Sequence, residues 1–141
     1  MPAIVAPAPP RRLNTFKVHL RPRRTWAGSV PTVLPTAWTV GLLSTAPDPD
    51  GMGHVELQTR GYQRQMLDPV PREPTGSLKR LFNAHRLCFG PVTSAWPTFG
   101  HVGVFDAEDD LVGATFLEPC GSSQFKDWID IRPFDLSISF A

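Results

Sequence analysis

Sixteen of the 141 residues are proline. Each proline fixes φ at about −65° and withdraws a backbone donor. At this density long helices are excluded, and so is a thick stack of central strands, because a proline in a ladder leaves a bond unmade. What remains is a β-rich body of short strands joined by loops, with extended segments outside it. The chain nonetheless has the means to pack: 41% of it is apolar and 10% aromatic, which argues against disorder. At this length one domain with one core is expected.

The clearest unit runs from Trp96 to Leu117. Thr98 to Phe105 and Leu111 to Leu117 are β-branched and aromatic with small residues between, as in strands packed on both faces. Asp106-Ala-Glu-Asp-Asp110 between them is short and acidic, so the unit is expected to be a hairpin with a charged tip. Elsewhere, strands are expected over Thr36–Leu43, His54–Thr59, Gly61–Leu67 and Arg86–Val92. Phe134, Leu136, Ile138 and Phe140 alternate with polar residues and predict a last strand with one wet face, which is antiparallel behaviour. Pro69, Pro71 and Pro74 mark a loop, Ser77 to His85 suggests one helical turn, and Glu118 to Lys126 is a Gly/Ser loop. The expected fold is all-β, an antiparallel β-sandwich of jelly-roll or Ig-like type with about seven to eight short strands.

Charge divides the chain. Residues 1–47 hold six basic residues and no acidic one, whereas the remainder holds eight basic and 13 acidic, giving +6, −5 and a net +1. Residues 1–30 are therefore expected to form an extended Pro/Arg-rich arm, with a short strand within Leu13–Leu20, and residues 31–141 the body. Arg11, Arg12, Phe16, Arg21, Arg23, Arg24 and Trp26 are its candidate partner-binding residues. An arm lying on its own or a sister body is preferred over one gripping nucleic acid, since a nucleic-acid groove interleaves more aromatics with its charge than Phe16 and Trp26 supply.

Chemistry finds little to stand on. Cys88 and Cys120 are too few and too separated for a disulfide framework or a metal site, and they suit buried thiols. There is no His-x-His, Cys-x-x-Cys or His-Glu-x-x-His pattern, and Asp48-Pro-Asp50-Gly51 lacks the closing acid of a calcium loop. The acidic tip is expected to be a solvated turn rather than a cation site. His101 has no nucleophile motif beside it, so no catalytic residue, metal ligand or cofactor is assigned. Of the four tryptophans, Trp38 and Trp96 lie in apolar strands, and Trp128 is the one candidate for carbohydrate stacking. No secretory core follows Met1, and no apolar run is long enough to cross a membrane.

Several pieces occur together in a familiar order: Pro35-Thr-Ala-Trp-Thr-Val-Gly-Leu-Leu-Ser-Thr-Ala-Pro-Asp-Pro, Glu56-Leu, Gly61-Tyr-Gln-Arg-Gln, Phe89-Gly-Pro, Trp96, Phe99-Gly-His-Val-Gly-Val-Phe-Asp-Ala, Leu111-Val-Gly and Phe134-Asp-Leu-Ser-Ile-Ser-Phe. From about Pro35 to Phe140 the chain resembles small bacteriophage virion proteins of the tail-fibre and head-decoration type. Those proteins tend to have a Gly-Asp turn before the last strand, where Ile129–Phe134 stands here, so that connection is expected to differ. The resemblance implies a non-enzymatic β-sandwich subunit present in many copies on a virion assembled in the host cytoplasm, its partners being copies of itself and capsid or tail subunits. The expected role is a decoration, spike-base or fibre-anchoring subunit docked through its arm. The alternative is a carbohydrate-binding module that attaches to a host surface glycan.

Overall fold

A computed structural model describes residues 13–21, 31–48, 52–72, 76–92, 96–117 and 127–140. In chain order the strands are β1 (Leu13–Thr15), β2 (Val18–Leu20), β3 (Thr39–Thr45), β4 (Val55–Glu56), β5 (Gln65–Met66) and β6 (Pro69–Pro71). They continue with β7 (Arg80–Asn83), β8 (Leu87–Val92), β9 (His101–Phe105), β10 (Leu111–Phe116), β11 (Asp127–Ile131) and β12 (Leu136–Ser139). Twelve strands among the described residues exceed the seven to eight expected, because β6, β7 and β11 arise in stretches not read as strands and Leu13–Leu20 forms two short strands rather than one. They form three sheets, β1-β11-β8, β10-β9-β3-β4 with β5 also on β3, and β2-β12-β7-β6, consistent with an all-β sandwich.

The hairpin stands as expected. β9 and β10 pair antiparallel, Phe105 opposite Leu111 and His101 opposite Phe116, with a bulge between Leu111 and Gly113. β9 also pairs with β3, so β9 is an inner strand of its sheet. Val102 and Val104 enter the main core together with Val40 and Leu42, while Leu43, Phe105 and Leu111 form a second cluster on the opposite face.

Four expectations need correction. Ser77–His85 is not a helical turn: Arg80–Asn83 is extended, with Leu81 and Asn83 buried and Arg80 exposed, a period of two that long-range pairing to β12 and β6 enforces. Pro69 and Pro71 do not make a loop but lie in β6, an edge strand, where a missing donor costs no ladder bond on the open side. Asp127–Ile131 forms a strand that the local sequence did not announce. Phe134 does not share the face of Leu136, Ile138 and Phe140: it has φ of 67° in the turn between β11 and β12 and is 38% exposed. The loop expected over Glu118–Lys126, and Cys120 within it, lie outside the described residues; Cys88 is half-buried on β8.

The segment Leu13–Leu20 lies on its own body. β1 pairs parallel with β11 and β2 parallel with β12, the ladders continuing through Phe16 N–H to Asp130 O (2.9 Å) and Val18 N–H to Asp135 O (2.7 Å). Phe16, Val18 and Leu20 are all core residues.

A partly buried polar network fastens β4 and the segment before β5 to the hairpin. The Leu42 N–H donates to the Tyr62 hydroxyl (2.9 Å), and that hydroxyl donates to Glu56 Oε2. Arg64 donates to both oxygens of Glu56, from Nε at 3.0 and 2.9 Å and from Nη2 at 2.7 Å. Its Nη1 reaches Asp109 at 2.9 Å and its guanidinium lies 3.7 Å from the centre of the Phe105 ring. Burial first, and then the bond to Glu56, push the Tyr62 hydroxyl far above its ordinary range, while the bond to Glu56 raises Arg64. Gly41 makes room for all of this, since a Cβ there would sit 2.6 Å from both Glu56 Oε2 and the Tyr62 hydroxyl. Tyr62→Phe is expected to cost about 1–2 kcal/mol and Gly41→Ala about 2–3 kcal/mol. In urea denaturation the double variant should lose less than the sum, because removing the hydroxyl relieves part of the clash.

Candidate interaction surface

β2 alternates strictly, with Val18 and Leu20 inward and Lys17 and His19 exposed on either side of Val18. On β7 Phe82 takes the outward position between inward Leu81 and Asn83, and on β12 Ser137 does so between Leu136 and Ile138. Register places His19, Ser137 and Phe82 in one row across β2, β12 and β7. Arg80 lies opposite Ser139 and its Nε donates to Ser139 Oγ at 3.3 Å. Arg72, just past β6, completes the surface.

These residues border an open cleft of about 700 Å³. Its wall is aromatic: Phe82 and Phe134 meet edge to face at 6.5 Å, and the Arg72 guanidinium lies 4.5 Å from the centre of Phe134 and 5.7 Å from that of Phe82. Phe134 reaches this outer face because the turn holds it there, with its N–H donating to Asn83 O (2.9 Å) and the Asp135 N–H to Arg132 O (3.0 Å). The positive φ that removes Phe134 from β12 is thus what delivers it to the cleft.

The cleft is electropositive. Asp135 is held by Arg132 (3.1 Å), whereas Lys17, Arg72 and Arg80 make no ion pair among the described residues. His19 Nδ1 is 2.7 Å from Ser137 Oγ. Desolvation, followed by the fields of Arg80 and Arg21, lowers the affinity of His19 for a proton. Three cations without ion pairs among the described residues, one of them stacked on two aromatic rings, suit a carboxylate or another anion, since an anion here gains charge-assisted bonds without breaking existing ion pairs.

The partner-binding residues expected from sequence are distributed differently. Phe16 is 8% exposed and belongs to the core. Arg21 is exposed immediately after β2. Arg11, Arg12, Arg23, Arg24 and Trp26 lie outside the described residues. Trp128 is half-buried on β11 opposite Leu13. Trp96 is 4% exposed with its indole N–H donating to Arg60 O (3.0 Å), and Trp38 packs partly buried on the core. Among the described residues no pair of exposed tryptophans exists for a sugar to stack on. Nor do three or more His, Cys, Asp or Glu side chains gather where a metal ion could be held.

Sequence reasoning missed Arg72, Arg80 and Phe82. The alternation Arg80-Leu-Phe-Asn83 was the available signal, and the helical reading of that stretch hid it.

The family described as "Podophage GP4 fiber I protein gp80" matches residues 25–117, well over half of the chain. The match takes in β3 to β10 and stops before β11 and β12. No curated protein and no solved structure matches.

Proposed function

We propose, from the premise that this chain belongs to the podophage GP4 fiber I protein gp80 family and is therefore a phage fibre-type virion component, that it is a non-enzymatic, multi-copy fibre-anchoring subunit joined to the particle through its N-terminal arm. One observation carries the reading. Leu13–Leu20 is built into the sheets of the body by parallel pairing, so a rooted segment is flanked in the sequence by basic residues, Arg11 and Arg12 before it and Arg21, Arg23 and Arg24 after. A rooted, basic arm can grip a neighbouring virion protein at little cost to its own fold, and many copies on one particle multiply a weak grip into a firm one. The acidic balance of the rest of the chain gives such an arm a complement on neighbouring copies and sets docking order.

The full-length chain with Arg11, Arg12, Arg23 and Arg24 all changed to alanine tests this. It is expected to keep the circular dichroism and urea midpoint of the parent yet be lost from purified virions. Particles that incorporate it at the parental level would sink the arm-docking role.

A further inference from the structure

We infer that the basic cleft on the β2-β12-β7-β6 sheet is a docking site for the acidic hairpin tip, Asp106–Asp110, of a second copy of this chain, so that copies join head to tail. The inference goes beyond the arm-docking role and does not depend on where in the virion the protein sits.

The two surfaces are complementary in charge and in form. The cleft offers Lys17, Arg72 and Arg80 without ion-pair partners among the described residues, bordered by Phe82 and Phe134. The tip offers Glu108 and Asp110, both exposed and both without an ion pair among the described residues, and Asp109, whose carboxylate is 81% exposed despite its bond to Arg64. The tip is also rigid before it binds. The Asp106 carboxylate accepts from the Glu108 and Asp110 N–H groups (2.9 and 3.0 Å), and the main chain closes from Asp106 N–H to Asp110 O (2.9 Å) and from Asp109 N–H to Asp106 O (3.1 Å). Arg64 then ties Asp109 to Glu56 in the body. A preformed acidic knob loses little entropy on entering a cleft, which leaves more of the charge interaction as net affinity.

Within one molecule the knob and the cleft belong to different sheets. A contact between them joins two different patches, and made head to tail, with each copy using its tip on one neighbour and its cleft on another, it generates an open row or a closed ring. The alternative occupant is a soluble polyanion such as an acidic polysaccharide. The second copy is favoured because the chain itself supplies a matching acidic knob.

Sedimentation velocity of the purified full-length protein, from micromolar to sub-millimolar concentration, gives the test. Self-association is expected at about 0.05 M salt and is expected to weaken at least about tenfold at about 0.5 M, where screening shortens the reach of the charges. A tip variant (Glu108→Lys with Asp110→Lys) and a cleft variant (Arg72→Glu with Arg80→Glu) should each be monomeric and folded by circular dichroism. Mixed together, they should associate again in alternation, since the acidic tip of one fits the intact cleft of the other and the lysine tip fits the glutamate cleft. A single chain carrying all four changes should associate again. A parent that is monomeric throughout overturns the proposal, as does association that either variant leaves unchanged, or variants that fail to pair. Binding of dextran sulfate by a monomeric parent, lost in the cleft variant, would also overturn it and assign the cleft to a soluble polyanion.

Discussion

Asn83→Leu is expected to lower stability by about 3–5 kcal/mol, because it strips three backbone groups of their partner at once. Asn83 is fully buried. Its Nδ2 donates to His85 O (2.8 Å) and Arg132 O (3.0 Å), and its Oδ1 accepts the Leu136 N–H (2.9 Å). One amide side chain thus joins the end of β7 to the turn between β11 and β12, using both donors and its acceptor. Leucine has a similar volume, so the loss is one of hydrogen bonding rather than of packing, and the Leu136 N–H is left buried without its acceptor. In urea denaturation the midpoint should fall with little change in slope. Asn83→Asp gives a second reading. It keeps the acceptor for Leu136 but turns a carboxylate oxygen toward two carbonyls, which raises the folded-state pKa above the unfolded value of about 3.9. The folded state then binds protons more tightly, so stability should be retained below that value and lost as pH rises through the window above it. A midpoint unchanged in both variants would show that Asn83 is not the fastener.

Stability of this kind was not visible in the sequence, and the reason is the distance between partners. Asn83, Arg132 and Leu136 lie in segments whose local composition says little about one another. The β9–β10 hairpin, by contrast, was legible because its evidence is local: two β-branched runs and an acidic turn, with the Asp106 side chain bonding its own backbone. The same contrast separates the elements read well from those misread. β12 carries its own alternation. β7 carries only four residues of it, inside a stretch that also suits a helical turn, and it is decided by β12 and β6 from outside. β6 is spelled with two prolines and is a strand because it sits at an edge. The cleft inherits these errors, since Arg72 and Phe82 belong to β6 and β7 territory. The Tyr62–Glu56–Arg64 network was hidden for a further reason: its three residues look like ordinary surface polar residues until Gly41 is seen to leave room for them.

Removing residues 1–20 should unfold the protein, and this is the largest effect expected of any change considered. The charge of the N-terminal region suggests a dispensable appendage, but Leu13–Leu20 is also structural. Without it β11 and β12 each lose a parallel neighbour and become open edges. Asp130, fully buried, loses the Thr15 hydroxyl (3.1 Å) and, among the described residues, keeps Arg86 (3.1 Å) as its side-chain partner. Phe16, Val18 and Leu20 leave the core together, and buried side chains of this size contribute about 2–5 kcal/mol each. Their sum is comparable to the whole stability of a typical domain, about 5–15 kcal/mol. The full-length variants Phe16→Ala and Leu20→Ala should each show a graded fraction of that loss, whereas Lys17→Ala, at an exposed position in the same segment, should stay within about 0.5 kcal/mol of the parent. Loss of the cooperative urea transition in the truncated chain, set beside a graded loss in the two core variants, would fix Leu13–Leu20 as part of the body. A truncated chain that unfolds cooperatively at the parental midpoint would instead make both strands accessories. The distinction bears on assembly, because an arm whose root is indispensable to the fold cannot be shed or exchanged without unfolding the subunit that carries it.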